Sequence, residues 1–256
     1  SLRLRIATRI RKQAPEISNA HFEDALAKGV FTSNADNAVF KYQAVAPNEA
    51  PLYRATVTAN RKDFAVSHVL INVLKGTLGP VKVEDPRLGI YASKNTAGIY
   101  LGQPYGLPVA AAGLLGSSEV SLPGTLIGAA NFGEVLQEYA EVAFLISEYK
   151  NWDQTEYRNG VTASLQKWGV SADQITTYLA AIPAANAETV LSQKYLALYT
   201  QGDEAWSEIR RTGYPKFLVK SGDVVWSRKV GDVVTDYKFE PLFGNGIPER
   251  FYYPIK

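Results

Sequence analysis

Residues 132–169, FGEVLQEYAEVAFLISEYKNWDQTEYRNGVTASLQKWG, decide the predicted fold because they have the pattern of two antiparallel helices. Asp153 is suited to cap the second helix, and Gly169 is suited to end it. A helical hairpin of this length has the size of a tetratricopeptide-type unit and cannot bury its apolar face alone, so we expect other helices to stack on it. The apolar positions of the first helix recur at alternating steps of four and three residues, and so share one face: Val135, Tyr139, Val142, Ile146 and Tyr149.

Further helices are predicted on both sides of this hairpin. Proline and glycine mark their ends, and small polar residues mark their starts. The predicted helices are residues 1–14, stopped by Pro15; a second helix capped by Ser18 and ended by Gly29; residues 63–75, capped by Asp63; residues 171–183; residues 189–200; and residues 203–212.

The remaining segments lack a helical period. Residues 30–60 are loop-like, with strand character near Val39 and in the alternating run 53–58. Residues 77–131 are punctuated by glycine and proline, and such a long irregular segment inside a compact protein is usually functional or is packed down by its own side chains. Residues 216–239 alternate around the predicted turn Ser221-Gly222-Asp223, which indicates a β-hairpin.

The composition indicates an ordinary globular protein and excludes several classes of site. Hydrophobic residues make up 46% of the 256 residues and charged residues 20%. The chain has no cysteine, which excludes disulfides and thiolate chemistry, and its two histidines lie on different predicted helices, which argues against a histidine-rich metal site. No window is long and apolar enough for a transmembrane helix. The basic residues near the start are interpreted as a solvated helix face: Arg3, Arg5, Arg9, Arg11 and Lys12.

The sequence contains no methionine, and its first residues have a helical pattern without a cap. With no signal peptide pattern either, we expect the chain to be a processed or truncated piece of a longer protein.

Motifs for catalysis are weak. Gly244-Asn245-Gly246 lacks the strand-to-helix context of a phosphate-binding loop, and Gly116-Ser117-Ser118 is not a nucleophile elbow. A pair of carboxylates for glycoside hydrolysis stays open as an alternative. The sequence does not indicate any particular pair, however, because most acidic residues lie at helix positions that we interpret as solvated.

Aromatic residues are the stronger indication of a binding function, with 15 Tyr, 10 Phe and 4 Trp. Aromatic rings stack on the C–H faces of sugars as well as filling cores. Those at helical spacing are interpreted as core: Tyr139, Tyr149, Tyr157, Trp168, Tyr195 and Trp206. Those in predicted loops, turns or strands, together with three flanking polar residues, are the candidate glycan contacts: Tyr100, Tyr105, Trp152, Trp226, Tyr237, Asn95, Gln103 and Asn245.

Seven blocks stand out in order over nearly the whole chain: Ser1–Ala7, Phe31–Asn37, Asp85-Pro86-Arg87-Leu88, Tyr139–Leu145, Gly160–Gly169, Tyr199–Pro215 and Ile247–Pro254. Together they resemble the C-terminal half of the SusD/RagB-like outer-membrane lipoproteins of Bacteroidetes.

This resemblance implies a mostly α-helical, SusD-like superhelix of tetratricopeptide-like hairpins. It implies one domain, with a helical scaffold at 1–76 and 132–213, a loop-rich region at 77–131, and a hairpin and tail at 214–256. Family members carry a signal peptide, a lipidated cysteine and a longer N-terminal half that are not in this sequence.

The resemblance also implies a function without catalysis. The expected protein is lipid-anchored at the surface of the outer membrane, captures glycans or similar nutrients, and hands them to a SusC-like TonB-dependent transporter. No cofactor and no nucleic-acid partner are expected. The family allows a structural calcium ion, but no ligand run such as DxDxDG is present. The alternatives are a helical-repeat scaffold that binds only protein, and a glycosidase.

Overall fold

The computed structural model describes residues 1–105 and 115–218, together with the backbone of 225–230 and 233–238. Within these residues, no helix is both long enough and apolar enough to cross a membrane. The helices are α1 (Leu2–Ile10), α2 (Pro15–Lys28), α3 (Pro51–Tyr53), α4 (His68–Leu74), α5 (Leu88–Tyr91), α6 (Tyr139–Tyr149), α7 (Gln154–Lys167), α8 (Ala172–Ala181), α9 (Ala187–Ala197) and α10 (Gly202–Thr212); the strands are β1 (Ala38–Lys41), β2 (Gly133–Gln137), β3 (Val225–Val230) and β4 (Val233–Lys238).

The chain divides into two compact units. The first, residues 1–42 and 133–215, is the helical unit, and the second, residues 43–132 and 216–256, contains the loop-rich segment. The sequence prediction placed 43–76 with the helical scaffold, whereas the structure groups these residues with the loop-rich segment.

The helical unit is built from hairpins that share one core, as predicted. Asp153 caps α7 by accepting from the Glu156 N–H at 2.9 Å. The rings of Phe22 and Tyr149 stack with centroids 4.0 Å apart. Helices α1, α2 and α6 enclose a cluster of buried residues: Leu4, Ala7, Phe22, Ala25, Val142, Leu145 and Ile146.

The start of the central hairpin differs from the prediction. Residues 133–137, assigned to the first helix, form β2, which pairs antiparallel with β1 so that Val135 lies opposite Val39. Helix α6 begins at Tyr139, whose N–H donates to Asn37 Oδ1 at 2.7 Å. A buried Val135 is compatible with the periodicity of a helix and with that of a strand. The local pattern therefore could not distinguish the two, and pairing with the distant strand β1 determines that these residues form a strand.

Three further boundaries differ for local reasons. Helix α1 ends at Ile10, and Pro15 begins α2, where a proline at the first helical position loses no hydrogen bond. Ser18 is therefore inside α2, and its hydroxyl donates to Ala7 O at 2.8 Å. Helix α4 begins at His68 with Ser67 as its cap, so Asp63 is not the cap.

Two predicted strands were wrong. Residues 53–58 continue α3 into a short π-helix, Arg54–Thr58. Lys216 and Phe217 lie in a turn, and the hairpin is formed by β3 and β4, with Trp226 opposite Tyr237. The predicted turn at 221–223 lies outside the described residues.

Several charged side chains of the helical unit are buried, although we interpreted most acidic residues on predicted helices as solvated. Lys194 Nζ lies 2.7 Å from Glu208 Oε2, and both side chains are almost completely buried. Arg211 Nη2 contacts Glu208 Oε2 at 2.7 Å and Glu148 Oε2 at 2.6 Å. Burial alone would raise the pKa of Glu208, but the charges of Lys194 and Arg211 outweigh it and hold that pKa well below its usual range.

The prediction that the basic face of α1 is solvated is also partly wrong. The Arg5 guanidinium is largely buried and pairs with Glu141 and Glu204. Glu141 is fully buried, and burial raises its pKa despite the pairing with Arg5. Trp206, predicted to be core, is instead 48% exposed, because it lies on the outer face of α10, with the Arg210 guanidinium 4.8 Å from the centre of its ring.

Candidate functional site

Three segments of the loop-rich unit are joined by backbone hydrogen bonds. Val66 N donates to Ser121 O at 2.9 Å, and Gln103 N donates to Val66 O at 2.8 Å. Ser121 N donates to Leu101 O at 2.7 Å, and the Ser121 hydroxyl accepts from Leu101 N at 3.1 Å. The network holds the segments around residues 66, 102 and 121 in one arrangement, because each satisfies the backbone groups of the others.

An open cavity of about 180 Å³ lies in this unit. Phe64 and Leu122 line it, each close in sequence to the backbone network. The described residues that line the cavity are Leu52, Thr56, Arg61, Lys62, Phe64, Ser117, Leu122, Pro123 and Gly128. Apolar walls with a few polar groups are typical of small-molecule sites, although this volume suits one sugar unit better than a long chain.

The cavity wall at 61–64 is set by a turn after the π-helix. Asn60 has φ 50°, in the left-handed region that asparagine tolerates better than most residues. The chain then turns back, and Arg61 N donates to Ala55 O at 3.0 Å. Arg61 Nε donates to Asp63 Oδ1 at 3.0 Å, and its guanidinium lies 4.9 Å from the centre of the Phe64 ring. The hydrogen bond from Arg61 lowers the pKa of Asp63.

Another part of the cavity lining depends on a close backbone approach. A Cβ atom at Gly124 would lie 1.9 Å from Ile90 O, so only glycine fits where the chain passes the end of α5. Gly124 N donates to Tyr91 O at 3.1 Å. This approach fixes Leu122 and Pro123, which lie just before it on the cavity wall.

Exposed apolar side chains continue beyond the cavity. Leu122 is 38% exposed, and Val57 and Leu126, each near a lining residue in sequence, are 54% and 50% exposed. Exposed apolar surface beside polar groups is a common feature of binding sites.

Four of the sequence-predicted contacts lie in the 43–132 segment of the unit that contains the cavity. Asn95 braces its own loop: Nδ2 donates to Glu119 O at 2.7 Å, and Oδ1 accepts from Ala97 N and Ile99 N. Its amide groups are thus engaged within the protein. Gln103 takes part in the backbone network through its main chain and accepts from His68 N at 3.0 Å.

The two predicted tyrosines flank this network and are half-buried. Lys94 Nζ lies 5.6 Å from the centre of the Tyr100 ring. The Tyr105 ring lies 5.4 Å from the ring of His68, and burial raises the pKa of Tyr105 and lowers that of His68. Neither tyrosine is among the described residues that line the cavity.

The described structure does not bring the other predicted contacts to the cavity or to the backbone network. Trp152 belongs to the helical unit, in the connection between α6 and α7, where it has φ 68° and its N–H donates to Ser147 O at 2.7 Å. Trp226 and Tyr237 are paired at the backbone level in β3 and β4. Asn245 lies outside the described residues. These residues stay predictions.

Sequence reasoning missed the cavity residues Arg61, Lys62 and Phe64. Phe64 lies within the predicted helix 63–75, whereas the observed helix α4 begins only at His68. The signal that could have found them is the run Asn60-Arg61-Lys62-Asp63-Phe64, a polar turn ending in an aromatic residue.

Metal ligands are not grouped in the described structure. Among residues 1–105 and 115–218, no three His, Asp or Glu side chains are clustered so as to hold an ion.

The helical hairpins and the loop-rich unit have the architecture expected of the SusD-like class. Residues 1–230 match the SusD-like family described as "Starch-binding associating with outer membrane", and the chain belongs to that family. No curated protein is significantly similar to it.

Solved structures share the fold. A chitin-binding protein superposes with a TM-score of 0.71 at 24% identity, covering 86% of this chain and 52% of its own. A chitin-binding SusD homolog from Flavobacterium johnsoniae superposes with a TM-score of 0.68 at 25% identity, covering 86% of this chain and 51% of its own. A SusD homolog from Bacteroides uniformis superposes with a TM-score of 0.69 at 23% identity, covering 85% of this chain and 51% of its own. The chain thus spans about half the length of these structures.

Proposed function

We propose that this protein is a non-catalytic, lipid-anchored protein of the outer-membrane surface that binds glycans and hands them to a SusC-like TonB-dependent transporter. The match of residues 1–230 to a family described as starch-binding and associated with the outer membrane carries this proposal. Two similar structures are described as chitin-binding. These relatives support a carbohydrate ligand.

The cavity supports binding rather than hydrolysis. Phe64 offers an aromatic wall and Thr56 and Ser117 offer hydroxyl groups, which is the chemistry that recognises a sugar ring and its substituents. A glycosidase needs two carboxyl groups about 5–10 Å apart across the bound sugar. The described residues that line the cavity include no carboxylate.

The experiment is affinity electrophoresis of the intact protein through gels containing starch, soluble chitin derivatives or pectins. Retardation in at least one gel, without new reducing ends in the same mixture, supports the proposal. Retardation with release of reducing ends overturns the non-catalytic part. No retardation in any gel overturns the glycan ligand.

A second function, binding of a protein partner, is favoured by one observation. Trp206 is 48% exposed on α10, and Arg210 packs its guanidinium against the ring. Tryptophan and arginine are the residue types most enriched at the energetic centres of protein interfaces. The two functions are compatible, because a capture protein that hands over its ligand must also contact the transporter.

Co-purification separates this second function from the first. The intact protein and its Trp206→Ala variant would each be co-expressed and purified with a SusC-like transporter. Loss of the complex in the variant, with glycan retardation unchanged, supports a partner surface on α10. An unchanged complex removes Trp206 from that surface.

A further inference from the structure

The described charged residues that line the cavity of the loop-rich unit all carry positive charge. Arg61 and Lys62 are the charged residues among the described residues that line it. Asp63, the nearest acidic residue in sequence, is engaged in an ion pair with Arg61. The three side chains together leave one positive charge at the cavity.

Arg61 is held in a fixed orientation. Its backbone N–H donates to Ala55 O, its Nε and Nη2 donate to Asp63, and its guanidinium plane is placed over the Phe64 ring. In the described part of the chain Nη1 has no hydrogen-bond partner. An arginine oriented in this way can donate to an anion without first losing conformational freedom.

Lys62 supplies the unneutralised charge. Its side chain is exposed, and across residues 1–105 and 115–218 its ammonium group has no ion-pair partner. A lysine at the lining of a cavity gains more from a bound anion than from a neutral hydroxyl, because hydrogen bonds between ionised groups are stronger.

We propose that this cavity binds a negatively charged sugar unit, bearing a carboxylate or sulfate group, within a polysaccharide. Phe64 contacts the apolar face of the sugar ring, and Lys62 and Arg61 donate to the anion. The inference rests on the proposed glycan-binding function and narrows its ligand to acidic polysaccharides. The exposed apolar surface at Leu122 then contacts the neighbouring sugar units.

The test uses polymers that differ only in charge. Dextran is compared with dextran sulfate, and polygalacturonate with its methyl-esterified form, by affinity electrophoresis of the intact protein at low and high salt. Starch and chitin oligosaccharides are included as neutral ligands. The wild type is compared with Lys62→Ala and with Lys82→Ala, a control that removes one exposed lysine of the same unit that is not among the described lining residues.

The expected result is tighter binding of one or both acidic polymers than of their neutral counterparts, weakened by salt. Lys62→Ala should weaken that binding about fivefold and Lys82→Ala less than about twofold, since a charge-assisted hydrogen bond is lost only in the first. A response to the sulfated polymer alone, or to the carboxylated polymer alone, identifies the anion.

Two results overturn the inference and leave the proposed function standing. One is binding of starch or chitin with no preference for acidic polymers. The other is an acidic preference that Lys62→Ala and Lys82→Ala reduce equally, which indicates general surface charge. Binding of none of these polymers overturns both the inference and the proposed function. Thermal unfolding of the variants, both at exposed positions, verifies that they are folded.

Discussion

Arg87 and Asp85 form a completely buried ion pair across two residues of the chain. Arg87 Nη2 lies 2.7 Å from Asp85 Oδ2, and Nε lies 2.9 Å from Oδ1. The exposed fraction of the Arg87 side chain is 0% and that of Asp85 is 1%. Asp85 N donates to Leu74 O at 2.7 Å, so the pair ties α4 to the start of α5. The Asp85-Pro86-Arg87-Leu88 block is therefore a structural motif.

We predict that Arg87→Ala lowers the free energy of unfolding by about 3–5 kcal/mol, because it leaves the Asp85 carboxylate buried without its cation. Urea denaturation measures the effect. Arg61→Ala is the matched control, since Arg61 and Asp63 have the same spacing but side chains that are 55% and 61% exposed. The control should change stability by less than about 1 kcal/mol. Equal effects of the two substitutions would contradict this account.

Glu208 should make stability depend on pH in the acid range. Its pKa in the folded protein is held below the unfolded value, so its contribution is fully present above the ordinary carboxyl pKa of about 4.3 and is lost as the pH falls below it. Glu141, whose folded pKa is raised, acts in the opposite direction.

The measurement is the free energy of unfolding of the wild type and of Glu208→Gln between about pH 3 and pH 7. The two curves should converge as the pH falls, because glutamine cannot pair with Lys194 and Arg211 at any pH. A constant separation between the curves would show that Glu208 does not titrate against these partners.

Gly160 is predicted to be intolerant of a side chain. A Cβ atom there would lie 2.8 Å from the Phe144 ring, where α7 crosses closest to α6. Gly160→Ala should therefore lower stability by about 1–3 kcal/mol, although alanine is the better helix former. Gly202→Ala on α10 is the control, since a Cβ there meets nothing within 4 Å. A stabilised Gly160→Ala protein would show that the helices adjust at no cost.

Phe64→Ala should weaken glycan binding about fivefold, corresponding to an aromatic contact of about 1 kcal/mol. Phe40→Ala provides the control, because Phe40 is an aromatic residue 56% exposed in the helical unit. Titration calorimetry with the polysaccharide fragment that binds best compares the two. Alanine at Tyr100 or Tyr105 in the same titration tests the predicted contacts of the loop-rich unit. Unchanged affinity for Phe64→Ala would move the site away from the cavity.

The sequence was sufficient where structure depends on neighbouring residues. The helices α6 through α10 follow from local periodicity, and the cap at Asp153 follows from residue chemistry. The mostly helical character was predicted in this way, and the SusD-like fold was predicted from the resemblance of several sequence blocks, with errors mainly at element boundaries.

What the sequence did not reveal depends on partners far along the chain. Strand β2 exists because β1 pairs with it. Glu141 looked solvated because its cation, Arg5, is 136 residues away. The cavity combines residues 52–64 with residues 117–128, and no local pattern indicates that Phe64 and Leu122 line the same cavity. Polar and aromatic residues in predicted loops drew attention to the loop-rich unit, whereas the residues that line the cavity could be identified only from the fold.

The most direct test of the central claim is retardation of the intact protein in polysaccharide gels, with reducing ends assayed in the same samples. The account predicts retardation by at least one polysaccharide, loss of much of it in Phe64→Ala, and no new reducing ends. Absence of retardation by every polysaccharide, or hydrolysis of the one that binds, would contradict it.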